Sequence, residues 1–310
     1  MAADVLDVEI SLVNTNNREL LKACLASLPK ACEGLRWHVT VVDNDSHDGS
    51  ADMVAALFRA AGLIRNSRRL GFGANHNRVL LTALEAGVRY ALILNEDTEL
   101  DPGSVREMIA FADDHKRVGA VGPAIRGSDG FRQPSYLPFP TVFGQLWSYL
   151  RTGRPPRQPT REGWLNGSCV LFRSEALKRV GTLAERFFIF YEDTDLGERL
   201  RRAGWESAIC ESSRIVHHGH MTVALASAGS VWEWQMLRSQ FLYFSKYRGY
   251  FVGLLLSGMV RTALLIRACK AFLVSRVKND VSQRATASLL IDLVKYDPRR
   301  VLPHEVAVQS

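Results

Sequence analysis

Residues 90–100 read YALILNEDTEL, an apolar run from Tyr90 to Leu94 followed by Asn95-Glu96-Asp97. A short run with no polar position on either face is the pattern of a strand covered on both sides, as in a parallel sheet flanked by helices. The acids that follow it fall where open α/β sheets place their ligands, just beyond the carboxyl ends of the strands. The surrounding sequence agrees. Strand-like runs at about Val5–Val13, Trp37–Val42, Leu63–Arg65 and Val118–Gly122 alternate with helical spacing at Leu20, Leu21, Cys24, Leu25 and Leu28, at Met53, Val54, Leu57 and Phe58, and over Ala74–Ala86. This repeated β then α order predicts an α/β fold with a doubly wound sheet.

Beyond Gly122 the rhythm changes. Residues 123–163, rich in Pro, Gly and Arg, are expected to form a long surface excursion, a lid or acceptor-facing insertion. Regular structure is expected to resume with Trp164–Arg173, a helix opened by Ser174-Glu175, an aromatic run Phe187–Tyr191, and a helix from about Asp193 to Ala203 closed by Gly204. A strand pair, Trp205–Cys210 and Arg214–His217, then leads into a chain that reads as helical to about Tyr296. The expected division is a domain at 1–230, its donor half at about 1–122 and acceptor half at about 123–230, with a helical region at 231–310.

Composition narrows the class. A chain of 310 residues, 47% hydrophobic and 23% charged, is enough for a sizeable core. Its net charge of +7, with basic clusters at Arg65–Arg69, Arg151–Arg161, Arg199–Arg202 and Arg299–Arg300, suits an anionic ligand or an anionic membrane surface. Nucleic acid is not indicated, because the sequence has no zinc-finger spacing, no basic helix with heptads and no single basic stripe. Five cysteines without C-x-x-C pairing read as reduced, packed thiols of a cytosolic protein, and the acidic first residues do not read as an export signal.

Polar residues gather after three strands, at Asn14-Thr15-Asn16, at Asp43-Asn44-Asp45-Ser46 and at Asn95-Glu96-Asp97. Thr15, Asn16 and Asn44, with Arg65 at the end of the third strand and Asn95 and Glu96 at the fourth, are candidate donor contacts. Asp43 is acceptor-only, which suits the imide N–H of a pyrimidine base, although Asp, Asn and Ser here also serve as turn and cap chemistry. Asp97 is the candidate ligand for a hard divalent cation, Mg²⁺ or Mn²⁺, shared with diphosphate oxygens. The alternative for these acids is a solvated loop capping the helix after Pro102. Gly71-Phe72-Gly73, with Asn75 and Asn77, forms a backbone segment entering a helix N-terminus, able to approach a diphosphate. With no Gly-x-Gly-x-x-Gly after the first strand and no Gly-Lys-Ser/Thr, neither a dinucleotide fold nor a phosphate-loop NTPase is supported.

In the second half, Glu192-Asp193 follows the aromatic run at a helix start. The helix N-terminus favours an ionised carboxylate while an aromatic wall raises its basicity, so an Asp here is either a proton acceptor or an ordinary cap. His217-His218-Gly219-His220 follows a short strand; imidazole is a common metal ligand, but no partner cluster supports a zinc site.

The stretches VVDNDSHDGS (41–50), LGFGANHN (70–77), LILNEDTEL (92–100), WLNGSCVLFR (164–173) and FFIFYEDTDLGERLRRAGW (187–205), taken in this order, resemble family 2 glycosyltransferases of the GT-A fold. Within that family they resemble the branch containing bacterial rhamnosyltransferases that act on lipid-linked acceptors. The resemblance implies a Rossmann-like mixed sheet with a helical C-terminal extension and a metal-dependent, inverting transfer. It implies that Asp43 contacts the base, that Asn95–Asp97 stands at the family's D-x-D motif with Asp97 its last acid, and that Asp193, paired with Glu192, is the catalytic base. His217 would help close the metal or diphosphate site, and Trp164, Asn166 and Gly167 would face the acceptor. Arg69 and Asn95 depart from the pattern, standing where the family usually has Asn and the first D-x-D acid. The implied donor is dTDP-β-L-rhamnose, with UDP-hexoses second, and the implied acceptor is a hydroxyl of a glycan or polyprenyl-diphosphate-linked sugar in cell-wall or surface polysaccharide synthesis.

The apolar run from Gly249 stops after about a dozen residues, whereas a membrane span needs about 20. Arg261, Arg267 and Lys270 recur among apolar residues, so helices lying on a bilayer surface are expected, at the inner face of the plasma membrane; a core or homodimer helix face is the alternative. A nucleotidyltransferase would need a Gly-rich, basic loop after the first strand, which Asn14-Thr15-Asn16 does not supply. An inactive scaffold would not need acids at 43, 97 and 193.

Overall fold

The computed structural model describes residues 5–150, 163–219, 230–278 and 281–300. In chain order the elements are β1 (Val8–Asn14), α1 (Arg18–Ala31), β2 (Trp37–Asp43), α2 (Ser50–Leu57), β3 (Gly62–Arg65), α3 (Phe72–Glu85), β4 (Tyr90–Asn95), β5 (Thr98–Leu100), α4 (Ser104–Asp114), β6 (Val118–Arg126), β7 (Tyr136–Pro138) and α5 (Val142–Leu150). Then come β8 (Gly163–Leu165), β9 (Cys169–Arg173), α6 (Ser174–Val180), α7 (Glu192–Arg202), β10 (Glu206–His217), α8 (Ser230–Arg248), α9 (Tyr250–Lys278) and α10 (Val281–Lys295). They form two compact units, one of residues 1–139, 161–188 and 192–220, the other of 140–160, 189–191 and 221–310.

The first unit is built on an eight-stranded sheet in the order β3-β2-β1-β4-β9-β6-β10-β5. β3, β2, β1 and β4 are parallel; β9 enters antiparallel between β4 and β6, which makes the sheet mixed. Alternation along the strands sorts side chains to two faces. Ile10, Leu12, Leu92 and Leu94 pack with Leu21, Leu25 and Leu28 of α1 and Met108 and Ile109 of α4. Ala91 and Ile93 pack on the other face with Leu80 of α3, Leu177 of α6 and Leu196 and Leu200 of α7. Burial on both faces is why β4 reads as a continuous apolar run.

Four expectations need correction. Residues 123–150 are not a featureless excursion: β6 runs on to Arg126, β7 pairs with β8, and α5 follows, while 151–162, including the Arg151–Arg161 cluster, lie outside the described residues. Pro and Gly frequency hid these elements because each is short or takes its pairing from a distant segment. Regular structure does resume over Trp164–Arg173, as β8 and β9, whereas the expected strand pair at 205–217 is one strand with an irregular register between Cys210 and Arg214. Four cysteines are buried as expected, but Cys269 is exposed.

The second unit is helical. α9 buries Leu256, Val260, Ala263, Leu264 and Ala268 and exposes Phe251, Leu255, Leu265, Ile266, Leu273 and Val277. Its continuity over Tyr250–Val277 corrects the expectation that the apolar run is too short: by length and composition it is long and apolar enough to cross a membrane, with a third of the relevant window buried. Interspersed Arg261 and Lys270 break the run in sequence without breaking the helix.

Candidate active site

Register pairs Asn14 with Asp43, Asp43 with Arg65 and Val13 with Asn95, so the ends of β1 to β4 share one edge. Asp43 is buried there, its Oδ1 accepting from Asn14 Nδ2 at 3.3 Å and its Oδ2 from the Ser46 N–H at 3.1 Å. Asn16 takes a left-handed conformation, φ 53°, that joins the β1 and β2 loops: its N–H donates to Ser46 Oγ and its Oδ1 accepts from the His47 N–H. Thr15 is half-buried beside it.

Three other candidate donor contacts have side chains engaged in scaffolding. Asn44 grips Leu70 at both ends, accepting from its N–H at 2.8 Å and donating to its C=O at 3.1 Å. Asn77 does the same to Leu183, and also donates to Glu185. Arg65 is exposed and paired with Asp52. The Asn44 clamp fixes the loop entering α3, where the Phe72 N–H donates to Phe188 O at 2.8 Å. A Cβ on Gly71 would lie 2.5 Å from that oxygen, so the approach requires glycine.

That approach brings Phe72 to Gly167 and Asp193. A Cβ placed on Gly167 would sit 3.3 Å from Asp193 Oδ2 and 3.6 Å from Phe72 Cζ. Asp193, in the first turn of α7, accepts from the Gly167 N–H at 3.2 Å and the Thr194 N–H at 2.7 Å. Burial outweighs these donors and raises its pKa to about 6. Glu192 beside it is buried and pushed well above the usual carboxylate range, first by burial and then by Asp193. Trp164 lies against α7 where Gly197 leaves room: a Cβ there would be 2.7 Å from Trp164 Cβ. Asn166 Oδ1 accepts from the Ser168 N–H and shapes the turn carrying Gly167. The β8–β9 turn and the start of α7 therefore bring Trp164, Asn166, Gly167 and Asp193 together.

On the other side of β4, β5 pairs antiparallel with the end of β10 and sets His217 opposite Thr98. His217 Nε2 is 3.4 Å from Asp97 Oδ1, and the His218 N–H donates to Asp97 O. His218 pairs with Glu99, and His220 lies outside the described residues. Glu96 turns away, accepting from Asn17 Nδ2 at 2.7 Å, with a pKa raised to about 7 by burial and then by Asp97. Among the described residues no three His, Cys, Asp or Glu side chains form a metal cage. The Asp97–His217 pair offers one oxygen and one nitrogen donor, which fits a cation that completes its shell with diphosphate oxygens and water.

Two residues of this region carry no sequence signal that marks them as functional. Gln133 meets His217 at Nδ1, 2.9 Å from Oε1, and donates from Nε2 to His217 O at 3.1 Å. His76, fully buried, has Nδ1 2.8 Å from Ser11 Oγ and its ring 4.5 Å from that of Phe72; burial lowers its pKa to about 3, so it is neutral. The four-residue spacing of Phe72 and His76 on α3 could have suggested that contact, whereas Gln133 sits in the Pro, Gly and Arg-rich stretch.

Residues 10–181 match the family described as glycosyl transferase family 2. The chain belongs to glycosyl transferase family 2. As a member of it, the protein is a glycosyltransferase, and its fold is GT-A. It is 34% identical over 220 residues to the N-acetylglucosaminyl-diphospho-decaprenol L-rhamnosyltransferase of Mycobacterium tuberculosis, covering 64% of this chain and 71% of that relative. It is 26% identical over 187 residues to galactofuranosyltransferase GlfT1 of the same species, covering 58% of this chain and 60% of the relative. Among solved structures, the mannosyltransferase PcManGT from Pyrobaculum calidifontis in complex with GDP-Man and Mn²⁺ shares the fold, with a TM-score of 0.52 at 15% identity over 94% of this chain and 86% of that one.

Proposed function

We propose that this family 2 glycosyltransferase moves L-rhamnose from dTDP-β-L-rhamnose, with inversion, to a hydroxyl of a polyprenyl-diphosphate-linked sugar in cell-wall or surface polysaccharide synthesis. The observation that carries the reading is the convergence on Asp193: a carboxylate with a raised pKa, held by the Gly167 N–H at 3.2 Å, beside the Trp164–Gly167 turn. The rhamnosyl donor and lipid-linked acceptor are supported by likeness to the mycobacterial rhamnosyltransferase.

Asp43 at the β2 end accepts the base N–H. Asp97 and His217 would hold a divalent cation, which when bound would neutralise diphosphate charge and help the leaving group depart. Asp193 takes the proton of the acceptor hydroxyl as that oxygen attacks the anomeric carbon from the face opposite the diphosphate. Glu192, its pKa pushed up by burial and then by Asp193, resists placing a second negative charge beside the base. Trp164, Asn166 and Gly167 line the acceptor side. In this reading residues 1–122 serve the donor and 123–230 the acceptor.

Residues 231–310 dock on the inner face of the plasma membrane. α9 has no Asp or Glu, exposes Phe251, Leu255, Leu265, Ile266 and Leu273, and carries exposed Arg267, Lys270 and Arg276, an apolar face with basic borders.

The test is transfer from a panel of nucleotide sugars to a polyprenyl-diphosphate-linked N-acetylhexosamine, with and without Mg²⁺ or Mn²⁺. Rhamnosyl transfer that depends on the cation is expected, and transfer only from a UDP-hexose overturns the donor assignment. Co-sedimentation with anionic liposomes is expected; a chain that stays in the supernatant overturns the docking.

A further inference from the structure

The chemistry of an amide side chain fixes more about His217 than its distance from Asp97. Gln133 follows β6, and its backbone is anchored by a 2.9 Å hydrogen bond from its N–H to Ile125 O. Its side chain touches His217 twice, with Nε2 on the carbonyl oxygen at 3.1 Å and Oε1 on ring Nδ1 at 2.9 Å. The two ends of a carboxamide are not interchangeable, because nitrogen only donates and oxygen only accepts. A backbone carbonyl only accepts, so the amide nitrogen must face it, and the amide oxygen is left for the ring.

An acceptor at 2.9 Å from Nδ1 calls for an N–H there. With Nδ1 committed to Gln133, Nε2 is the ring nitrogen left to give a lone pair to a cation, and Nε2 is the atom 3.4 Å from Asp97 Oδ1. A lone pair directed at a carboxylate oxygen is an arrangement that a cation relieves. We propose that Gln133 is a positioning residue that locks His217 in the Nδ1–H tautomer and thereby presents Nε2, with Asp97, as a preformed pair of donors for a divalent cation. Outer groups that accept the distal N–H of a metal-bound histidine act in this way, fixing ring orientation and raising ligand basicity. Here a neutral amide does it, and its second bond, to the carbonyl of the same residue, pins the backbone and ring together.

The inference rests on the reading that Asp97 and His217 hold the cation, and its test separates the two. Full-length protein labelled with ¹⁵N-histidine is studied without metal at alkaline pH, where a neutral imidazole reports a single N–H. Two-bond ¹⁵N–¹H spectra, with His217→Gln used for assignment, should show the Nδ1–H tautomer. Gln133→Leu should shift it toward the Nε2–H form. The same substitution should weaken Mn²⁺ binding in the presence of dTDP about 10- to 100-fold. Gln133→Glu keeps the acceptor for Nδ1–H but loses the donor to His217 O, and should retain the native tautomer, which separates loss of the ring acceptor from general disturbance of the loop. An Nε2–H tautomer in the unsubstituted protein, or a tautomer and Mn²⁺ affinity unmoved in Gln133→Leu, overturns the assignment. Nδ1–H in a protein that binds no Mn²⁺ supports Gln133 as the lock and overturns the cation reading alone.

Discussion

Asp43 and Asp193 are carboxylates of the same unit held in opposite ways. At the strand edge, Asp43 is matched by donors on both oxygens, Asn14 Nδ2 and the Ser46 N–H, in a register that two parallel strands impose. At the start of α7, Asp193 also accepts two backbone N–H groups, yet burial and the adjoining Glu192 leave that region short of compensation, and both acids hold protons more tightly than usual. The residues just before them, Phe190 and Tyr191, are non-glycine aromatics with φ of 69°. Each left-handed residue of this kind costs about 1–3 kcal/mol, and such strain gathers at working sites. In the proposed reading this contrast separates recognition from chemistry: an acid that reads a base can be satisfied in advance, whereas an acid that must accept a proton cannot.

The sharpest way to break this contrast is Asp193→Asn. Transfer is expected to fall by a factor on the order of 100 or more, with donor affinity by calorimetry unchanged, because only the proton acceptor is removed. Near-normal turnover would remove Asp193 from its role. Asp97→Ala acts on binding instead, and calorimetry with Mn²⁺ should show donor affinity at least about tenfold weaker, in line with the loss of a metal ligand. Unchanged affinity with Mn²⁺ present would remove Asp97 from the cation site. The pH profile comes next. A base works only when ionised, so kcat/KM should rise with pH, about tenfold per unit below the Asp193 pKa of about 6, and level off above it. A rate that is flat from pH 4.5 to 8 would place the base elsewhere.

Much of the strand edge was legible in sequence because periodicity alone finds strands, and strand ends locate Asn14, Asp43 and Asn95 without tertiary information. The pairing of Asp97 with His217 was not legible from spacing, since it depends on the three-residue β5 joining the far end of β10. Asn44 and Asn77 show the limit from the other direction. Both stand where a ligand contact is plausible by position, and both have side-chain amides occupied by backbone groups of Leu70 and Leu183. Sequence places a polar residue at an edge; it does not say which neighbour claims its hydrogen bonds. Gln133 is the converse, an unremarked residue in a Pro, Gly and Arg-rich stretch whose two contacts to His217 exist only in the folded chain.

The smallest expected effect gives the most direct measure of the contrast, because it concerns stability in place of rate. The Asp193 pKa rises from an ordinary 3.8 to about 6 on folding, so between these values the native state binds more protons than the unfolded one. Stability then falls as pH rises through this window, and the full cost of the ionised group is present above it. Asp193→Asn removes that cost, but its single oxygen serves only one of the Gly167 and Thr194 N–H groups, which bond different carboxylate oxygens, so the donor-against-donor contact at the other offsets part of the gain. At pH 7.5 its Tm should therefore increase by roughly 2–4 °C, the shift that about 1 kcal/mol produces in a domain of this size, and the gain should vanish near pH 4. Glu192 shares the proton load, so the measured midpoint belongs to the pair. Asp43→Asn should do the reverse at pH 7.5, since an amide NH₂ would face Asn14 Nδ2 or the Ser46 N–H, donor against donor. Opposite signs of ΔTm for the same substitution at the two sites are what the contrast requires, and a common sign would end it.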